Sequence, residues 1–406
     1  MKKLFIFLTI GLSIMQLYAQ QTEIRRSEYR SMDDDGNFIN VVQLEIGGRY
    51  FYDIDENTHT AIFKRWYGRE NDTELIIPSS IDYNGVTYKI VALGDEAGNQ
   101  NEKLEKVIIP EGVTRITGFA RCHGLKNITI PSSVKEIGSN AFNECVELES
   151  VVLPEGLSTL GYRAFYNCVK LKSIVIPSSV ARIESGVFNN CQQLSSITIP
   201  STISEIGEEV FYNCVSLKTI NLNEGLISIG KLAFSDCTAL ESIILPNSLK
   251  ALAPYAFYGC TSLRSVKLPE SLNVVPDAAF MKCGALTSIE FPKSIYSIEQ
   301  SAFRECTSLK KVELPRNLTA LNGSVFQNCS SLVEIVIPEG VTKIDSGLFY
   351  SCNSLTDIYC YSDMPPEIDG SLYGVPLEQV TVHVPVVKKY KKNISWKAFG
   401  KLIPIQ

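Results

Sequence analysis

Histidine and tryptophan are scarce in this chain: 406 residues hold three of the first and two of the second. The histidines, His59, His123 and His383, lie far apart in sequence. Acid–base chemistry would have to come from carboxylates, and those sit at exposed, variable positions. No Ser/His/Asp arrangement, Walker loop, dinucleotide fingerprint or zinc motif is present. The chain is therefore expected to be no enzyme and to need no cofactor or metal. Basic excess is missing too: the formal net charge is -6, which gives no hint of nucleic-acid binding. Past the first residues, no apolar stretch reaches the roughly 18 residues that a membrane-spanning helix needs.

The N-terminal stretch MKKLFIFLTIGLSIMQLYAQQ has Lys2 and Lys3, an apolar run from Leu4 to Met15, and a short polar exit at Ala19. This reads as a secretory signal peptide over 1–19, cut after Ala19, although Leu17 is larger than the residue usually found three before a cut. No cysteine lies near it, which excludes lipid attachment at a new N-terminal cysteine. The mature protein is expected to be exported: periplasmic, cell-surface associated or secreted.

Cysteine, by contrast, is abundant and strictly placed. Cysteines fall at 122, 145, 168, 191, 214, 237, 260, 283, 306, 329 and 352, every gap being 23 residues. Phenylalanine precedes each by three, from Phe119 to Phe349, and leucine follows each by three, from Leu125 to Leu355. With the cysteine as slot 0, aliphatics fill slots 6, 8, 12 and 15, apart from Phe291 and Cys360 in slot 8, and proline fills slot 9 except at Asn223 and Tyr361. A fixed period of this size means a solenoid, because one unit cannot bury its apolar slots alone and stacked units can. The period-two pattern L-x-x-I-x-I-P predicts a short strand with slots 6 and 8 inward, stacked in parallel and ended by proline. The AFxxCxxL stretch is expected to close the coil as a short helical turn. Gly138, Gly161, Gly207 and Gly230 occupy slot 16, but so do Ala253 and Pro276. Proline fixes φ near −65°, so the slot needs no left-handed backbone, and its glycines serve close packing or turning.

This pattern resembles the BspA-like, treponema-type leucine-rich repeat proteins of bacterial surfaces, over about residues 75 to 385. The resemblance implies an α/β repeat solenoid: a right-handed superhelix with short parallel strands, displayed or secreted, which acts by binding proteins. Some members of the family serve in adhesion to host or neighbouring cells. No catalytic residue is implied.

The ends differ from the array. LIIP (75–78) and VIIP (107–110) read as two earlier strands, and GRYFYDIDENTHTAIFKRW as a hairpin turning at Asp55 to Thr58. Residues 20–74 are expected to form an N-terminal β cap, 75–385 the solenoid, and 386–406 a C-terminal cap. LEQVTVHVP (377–385) reads as the last strand, followed by a closing helix with Tyr390, Trp396 and Phe399 inward. Fourteen strands at about 4.8 Å each make a sheet roughly 60 Å long.

Three features have both a sharp and a plain explanation. Equivalent cysteines stacked about 4.8 Å apart, with parallel side chains, do not meet the converging geometry of a disulfide, and a line of thiols does not surround a metal. Buried thiols, acting as small hydrophobes, are expected. SMDDDGNF (31–38) would place Ser31 and Val42 at the first and twelfth positions of a calcium loop, both wrong, so a polar turn is expected. Lys388, Lys389, Lys391, Lys392, Lys397 and Lys401 could meet anionic lipid or polysaccharide; solvated lysines on a cap are the plainer reading.

The outward strand positions are expected to be slots 5, 7 and 9, slot 9 being the proline column. Slot 5 is serine or threonine from Ser150 to Ser288, then Lys311, Glu334 and Asp357. Slot 7 changes from Thr129, Val152, Val175, Thr198, Asn221 and Ile244 to Lys267, Glu290 and Glu313, with Tyr359 further on. A protein partner is expected along this face, contacting Lys267, Glu290, Lys311, Glu313 and Tyr359, whose heads should lie within about 5–10 Å of one another. The fallback is the ridge carrying Tyr166, Tyr212, Tyr258 and Tyr350. Two other functions remain open: a carbohydrate-binding component of a surface nutrient system, and a cell-envelope scaffold without a dedicated ligand. Exposed aromatics favour sugar binding, but both tryptophans lie outside the array and slot 7 supplies only Tyr359.

Overall fold

In the computed structural model, residues 23–32, 38–69, 71–98, 100–369, 372 and 374–405 are described. The expected signal peptide and most of the SMDDDGNF turn lie outside them.

The chain opens with an antiparallel meander: β1 (Ile24–Met32), β2 (Phe38–Ile46), β3 (Tyr50–Asp55) and β4 (Thr60–Trp66). The Asp55 carboxylate turns β3 into β4 by accepting from the backbone of Asn57 at 2.8 Å. After β5 (Glu74–Ile76) comes a hairpin absent from the sequence reading, β6 (Ser80–Tyr83) and β7 (Val86–Glu96). Its turn is Asn84-Gly85, both left-handed (φ 51° and 80°), the pair that a tight hairpin favours. Strand β7 pairs in parallel with β4 on one side and with Arg115 on the other, joining the meander to the array.

The array is a solenoid of parallel strands in the 23-residue register. Its first ladder begins at β5 and runs through Lys106–Ile108, Asn127–Thr129 and Ser150–Val152. It continues with equivalent short strands as far as Thr381–Val384. Slot 6 of each strand points inward, because apolar side chains alternate with solvated ones along an extended chain. A second parallel ladder, not expected from the sequence, passes through slots 14 and 15, from Arg115–Ile116 to Glu367–Ile368. It buries Ile137, Leu160 and Ile206 completely.

The expected helical turn at AFxxCxxL is not there. Among the described residues the coils from Cys122 to Cys352 carry no helix, and the one α-helix is Val387–Lys392. The AFxxC stretch is instead a third hydrogen-bonded ladder between coils. The N–H groups of Asn140, Phe142 and Glu144 donate to the carbonyls of Tyr162, Ala164 and Tyr166, each at 2.8 Å. Two left-handed residues per coil make this geometry, such as Asn140 and Glu144, Arg163 and Asn167, or Glu209 and Asn213. The Phe rings between them stack from Phe119 to Phe326, with neighbouring centroids 5.2–5.9 Å apart.

The slot-16 glycines serve close approach. A Cβ on Gly161 would sit 2.6 Å from the Gly138 carbonyl carbon and from the Ser139 nitrogen. All twelve cysteines are buried free thiols. An indole is buried towards each end of the core, Trp66 in β4 and Trp396 in the C-terminal segment, each 1% exposed. At the C-terminal end Trp396 Nε1 donates to the Pro366 carbonyl at 2.8 Å, and Tyr390 Oη to that of Ser362 at 2.7 Å. The lysines of this segment are exposed and Phe399 is buried. Thr381–Val384 is not the last strand: after the short helix, Lys401–Pro404 adds one more to the ladder.

Candidate functional site

The exposed face of the first ladder presents slots 5 and 7 side by side. In its first half, Val152, Val175 and Ile244 are 78%, 79% and 72% exposed, so they belong to the surface, with serines beside them. From Lys267 to Glu313 the same column is charged. Lys267 and Glu290 are bridged backbone neighbours, and the register carries the column on through Glu313, Val336 and Tyr359 to His383. No hydrogen bond or ion pair within the described residues engages the side chains of Lys267, Glu290 or Glu313. Lys311, in slot 5, pairs with Glu334 at 2.8 Å, and that carboxylate raises the lysine above its ordinary pKa.

Tyr359 lies on the far side of Glu334, close enough to Lys311 for the two to interact electrostatically. Its ring stacks on His383, with centroids 4.0 Å apart and planes 13° from parallel. His383 Nε2 lies 2.9 Å from Asp357 Oδ1, and Thr356 donates to Oδ2 at 2.8 Å. These contacts, that of His383 foremost, hold the Asp357 carboxyl below the usual range. Burial pushes the Tyr359 phenol up, helped by Glu334 and Asp357. The five expected residues therefore do not form one cluster. Lys267, Glu290 and Glu313 are consecutive and Lys311 sits beside Glu313, but Tyr359 is four strand steps from Lys267, roughly 19 Å. His383 escaped the sequence reading because the last coils are 24 residues long instead of 23, which shifts it out of the column.

The thiols have no reactive role. Each cysteine from Cys145 to Cys352 donates its S–H to the carbonyl of the Phe 26 residues earlier, at 3.1–3.3 Å. Burial pushes them all up, to about 12 for Cys122, Cys214 and Cys352. A nucleophilic thiol needs a populated thiolate and access, and these have neither. Among the described residues, no group of three or more His, Cys, Asp or Glu could hold a metal ion, and no helix is long and apolar enough to cross a membrane.

A parallel-strand solenoid with a 23-residue period and a Phe/Cys/Leu core defines a leucine-rich repeat protein. The profile of the BspA type leucine rich repeat region matches residues 89–215, 117–240, 181–285 and 273–394. These matches span well over half of the chain, and the chain belongs to that family. Among solved structures it is similar to a leucine-rich repeat protein from Bacteroides ovatus, with 27% identity and a TM-score of 0.58, covering 77% of this chain and 93% of that one. A leucine rich cell surface protein from Faecalibacterium prausnitzii is 24% identical with a TM-score of 0.54, covering 94% and 96%. The pneumococcal vaccine antigen PcpA is 19% identical with a TM-score of 0.53, covering 94% and 100%. These last two share the fold. No curated protein matches significantly.

Proposed function

We propose that this protein is exported, is held at the cell surface or released, and binds a protein partner along the strand face, with adhesion as one use. The observation that carries this is the charged column Lys267, Glu290 and Glu313, exposed on consecutive strands and unused by the fold. Solvated charges on a sheet contribute little to stability, but facing a partner they set register and exclude wrong partners. The uncharged first half, with Val152, Val175 and Ile244 outward, supplies apolar area beside them. The N-terminal Lys/apolar/Ala19 pattern supports export, and the description of the Faecalibacterium relative as a cell surface protein fits that location.

The test is a pull-down from envelope and host-matrix extracts with the exported chain, followed by charge reversal at Lys267, Glu290 and Glu313 together. Loss of affinity with an unchanged melt supports the face. Unchanged affinity for the captured partner rejects it. Failure to capture any partner from either extract favours the scaffold reading.

A further inference from the structure

We propose that a depression on the turn ridge, away from the strand face, is a binding site for a neutral oligosaccharide. It is a shallow depression of about 710 Å³, broadly open to solvent. It arises where the slots of the third ladder change size between coils. In slot 21, Tyr212 is followed by Ser235 and then by Tyr258. Ser235 is completely buried and Ala278, two coils further on, is 1% exposed, and both small residues line the depression. Tyr212, Tyr255 and Tyr258, all half-buried, stand around it. Tyr255 and Tyr258 form an aromatic corner, with centroids 6.0 Å apart and planes at 56°. Tyr212 and Tyr258 are two coils apart, roughly 10 Å, which leaves room between them for one flat ring.

The polar lining selects the class of ligand. Asp236, Asp277, Gln300 and Arg304 all border the cavity. The protein itself uses neither the Asp277 carboxylate, the Gln300 amide, nor the hydroxyls of Tyr212 and Tyr255 in any hydrogen bond among the described residues. Unpaired donors and acceptors are thus mixed around one apolar wall, which suits hydroxyls that both donate and accept beside a C–H face that packs on tyrosine. An anionic ligand is disfavoured by Asp236 and Asp277; burial raises the Asp277 carboxyl and the nearby Glu299 adds to it. A cationic ligand is disfavoured because the protein already supplies the cations. Lys282 Nζ, at the edge of the depression, lies 5.0 Å from the Tyr258 ring centroid and donates to its hydroxyl at 2.6 Å, and Arg304, paired with Glu305 at 3.4 Å, borders the same space. A neutral sugar is what remains.

This site and the strand face are independent, and their tests do not share an outcome. The full chain is titrated calorimetrically with neutral tetrasaccharides of glucose, mannose, xylose, galactose and N-acetylglucosamine in several linkages. A sulfated glycan and an oligo-arginine peptide are run beside them. At least one neutral tetrasaccharide is expected to bind. Tyr258→Ala is expected to weaken it about tenfold, the scale of one aromatic contact. Asp277→Asn and Gln300→Ala are expected to weaken it several-fold; neither side chain has a partner in the protein, so both variants should melt as the parent does. Charge reversal at Lys267, Glu290 and Glu313 should leave it unchanged. Three results would overturn the proposal: no neutral tetrasaccharide binds, binding persists through both Tyr258→Ala and Asp277→Asn, or the Tyr258-dependent ligand is the sulfated glycan or the arginine peptide.

Discussion

The thiol of Cys237 donates to the carbonyl oxygen of Phe211 at 3.2 Å, from one coil to the one before. That same oxygen already accepts from the backbone N–H of Cys214, also at 3.2 Å. The thiol therefore takes the second lone pair of a carbonyl that would otherwise face an apolar core, and it does so while remaining a small hydrophobe. This answers why a cysteine recurs in every unit.

Two substitutions at this position separate its roles. Cys237→Ala removes a weak donor but leaves Phe211 bonded to Cys214, so its cost is the small void, on the order of 1 kcal/mol. Cys237→Ser places a hydroxyl there on a shorter bond, drawn back from the carbonyl, and is expected to cost about 1–3 kcal/mol for a poorly satisfied buried polar group. Denaturant melts of the two variants check the order. A serine variant as stable as the parent would show that the sulfur's size is immaterial.

The thiols also predict an alkaline limit. All twelve are raised above the ordinary 9.0, foremost by burial, with Cys214 at about 12. A folded pKa above the unfolded one stabilises fully below the unfolded value and is lost as pH rises. Above about pH 9 the unfolded chain releases protons that the folded chain keeps, and each thiol then lowers stability by up to ~1.4 kcal/mol per pH unit. Unfolding followed by circular dichroism should stay flat, as far as the thiols go, to about pH 9 and then fall steeply. Alkylation of the native protein at pH 8 should be slight, with twelve thiols reacting after denaturation without reductant. A variant with four ladder cysteines changed to alanine should show a shallower fall; an identical slope would remove the thiols from the account.

Gly161 tests the close approach of coils. A Cβ there meets two backbone atoms at 2.6 Å, and backbone cannot rotate away as a side chain can. Gly161→Ala is expected to cost about 1–3 kcal/mol as overpacking. Ala253 holds the same slot one coil beyond Gly230, where the spacing already admits a methyl group, so Ala253→Gly should change stability by less than about 1 kcal/mol. Equal melts for both variants would mean that slot 16 is not a contact between backbones.

The first ladder, its register and its buried slots were legible because they depend on period and alternation, which a single sequence displays. The outward position of Lys267, Glu290 and Glu313 followed from the same alternation. The second ladder was not legible: two residues per coil, such as Thr159 and Leu160, are too few to show a period of two. The third ladder was misread as helical because AFxxCxxL has apolar residues spaced by three, a spacing that left-handed turns also produce. The hairpin at Asn84-Gly85 carried a plain turn signal and was overlooked between two repeats. The tyrosine-lined depression was invisible because its lining, from Tyr212 through Asp277 to Arg304, is spread over five stacked coils, at slots that change residue type from coil to coil.

Asn213 bears on that third ladder most directly. Its φ of 56° is left-handed, and its Nδ2 donates to Asn190 Oδ1 at 2.6 Å, one step in a row of amides that continues to Asn167. Asparagine tolerates this backbone better than other residues with a Cβ, and here it adds a bond between coils. Asn213→Ala keeps the Cβ that opposes the left-handed geometry, loses asparagine's tolerance of it, and deletes the amide. The two losses together come to about 2–3 kcal/mol. Asn213→Gly deletes the amide but removes the steric opposition, with a smaller entropic cost, so about 1–2 kcal/mol is expected. The order of stability should therefore be parent, then glycine, then alanine, read from urea melts of the three proteins. A helical turn at this stretch would give the reverse order for the two variants, since alanine is the better helix former by about 1 kcal/mol. Alanine melting above glycine would therefore reject the left-handed ladder, and with it the coil geometry that brings Tyr212, Tyr255 and Tyr258 around one depression.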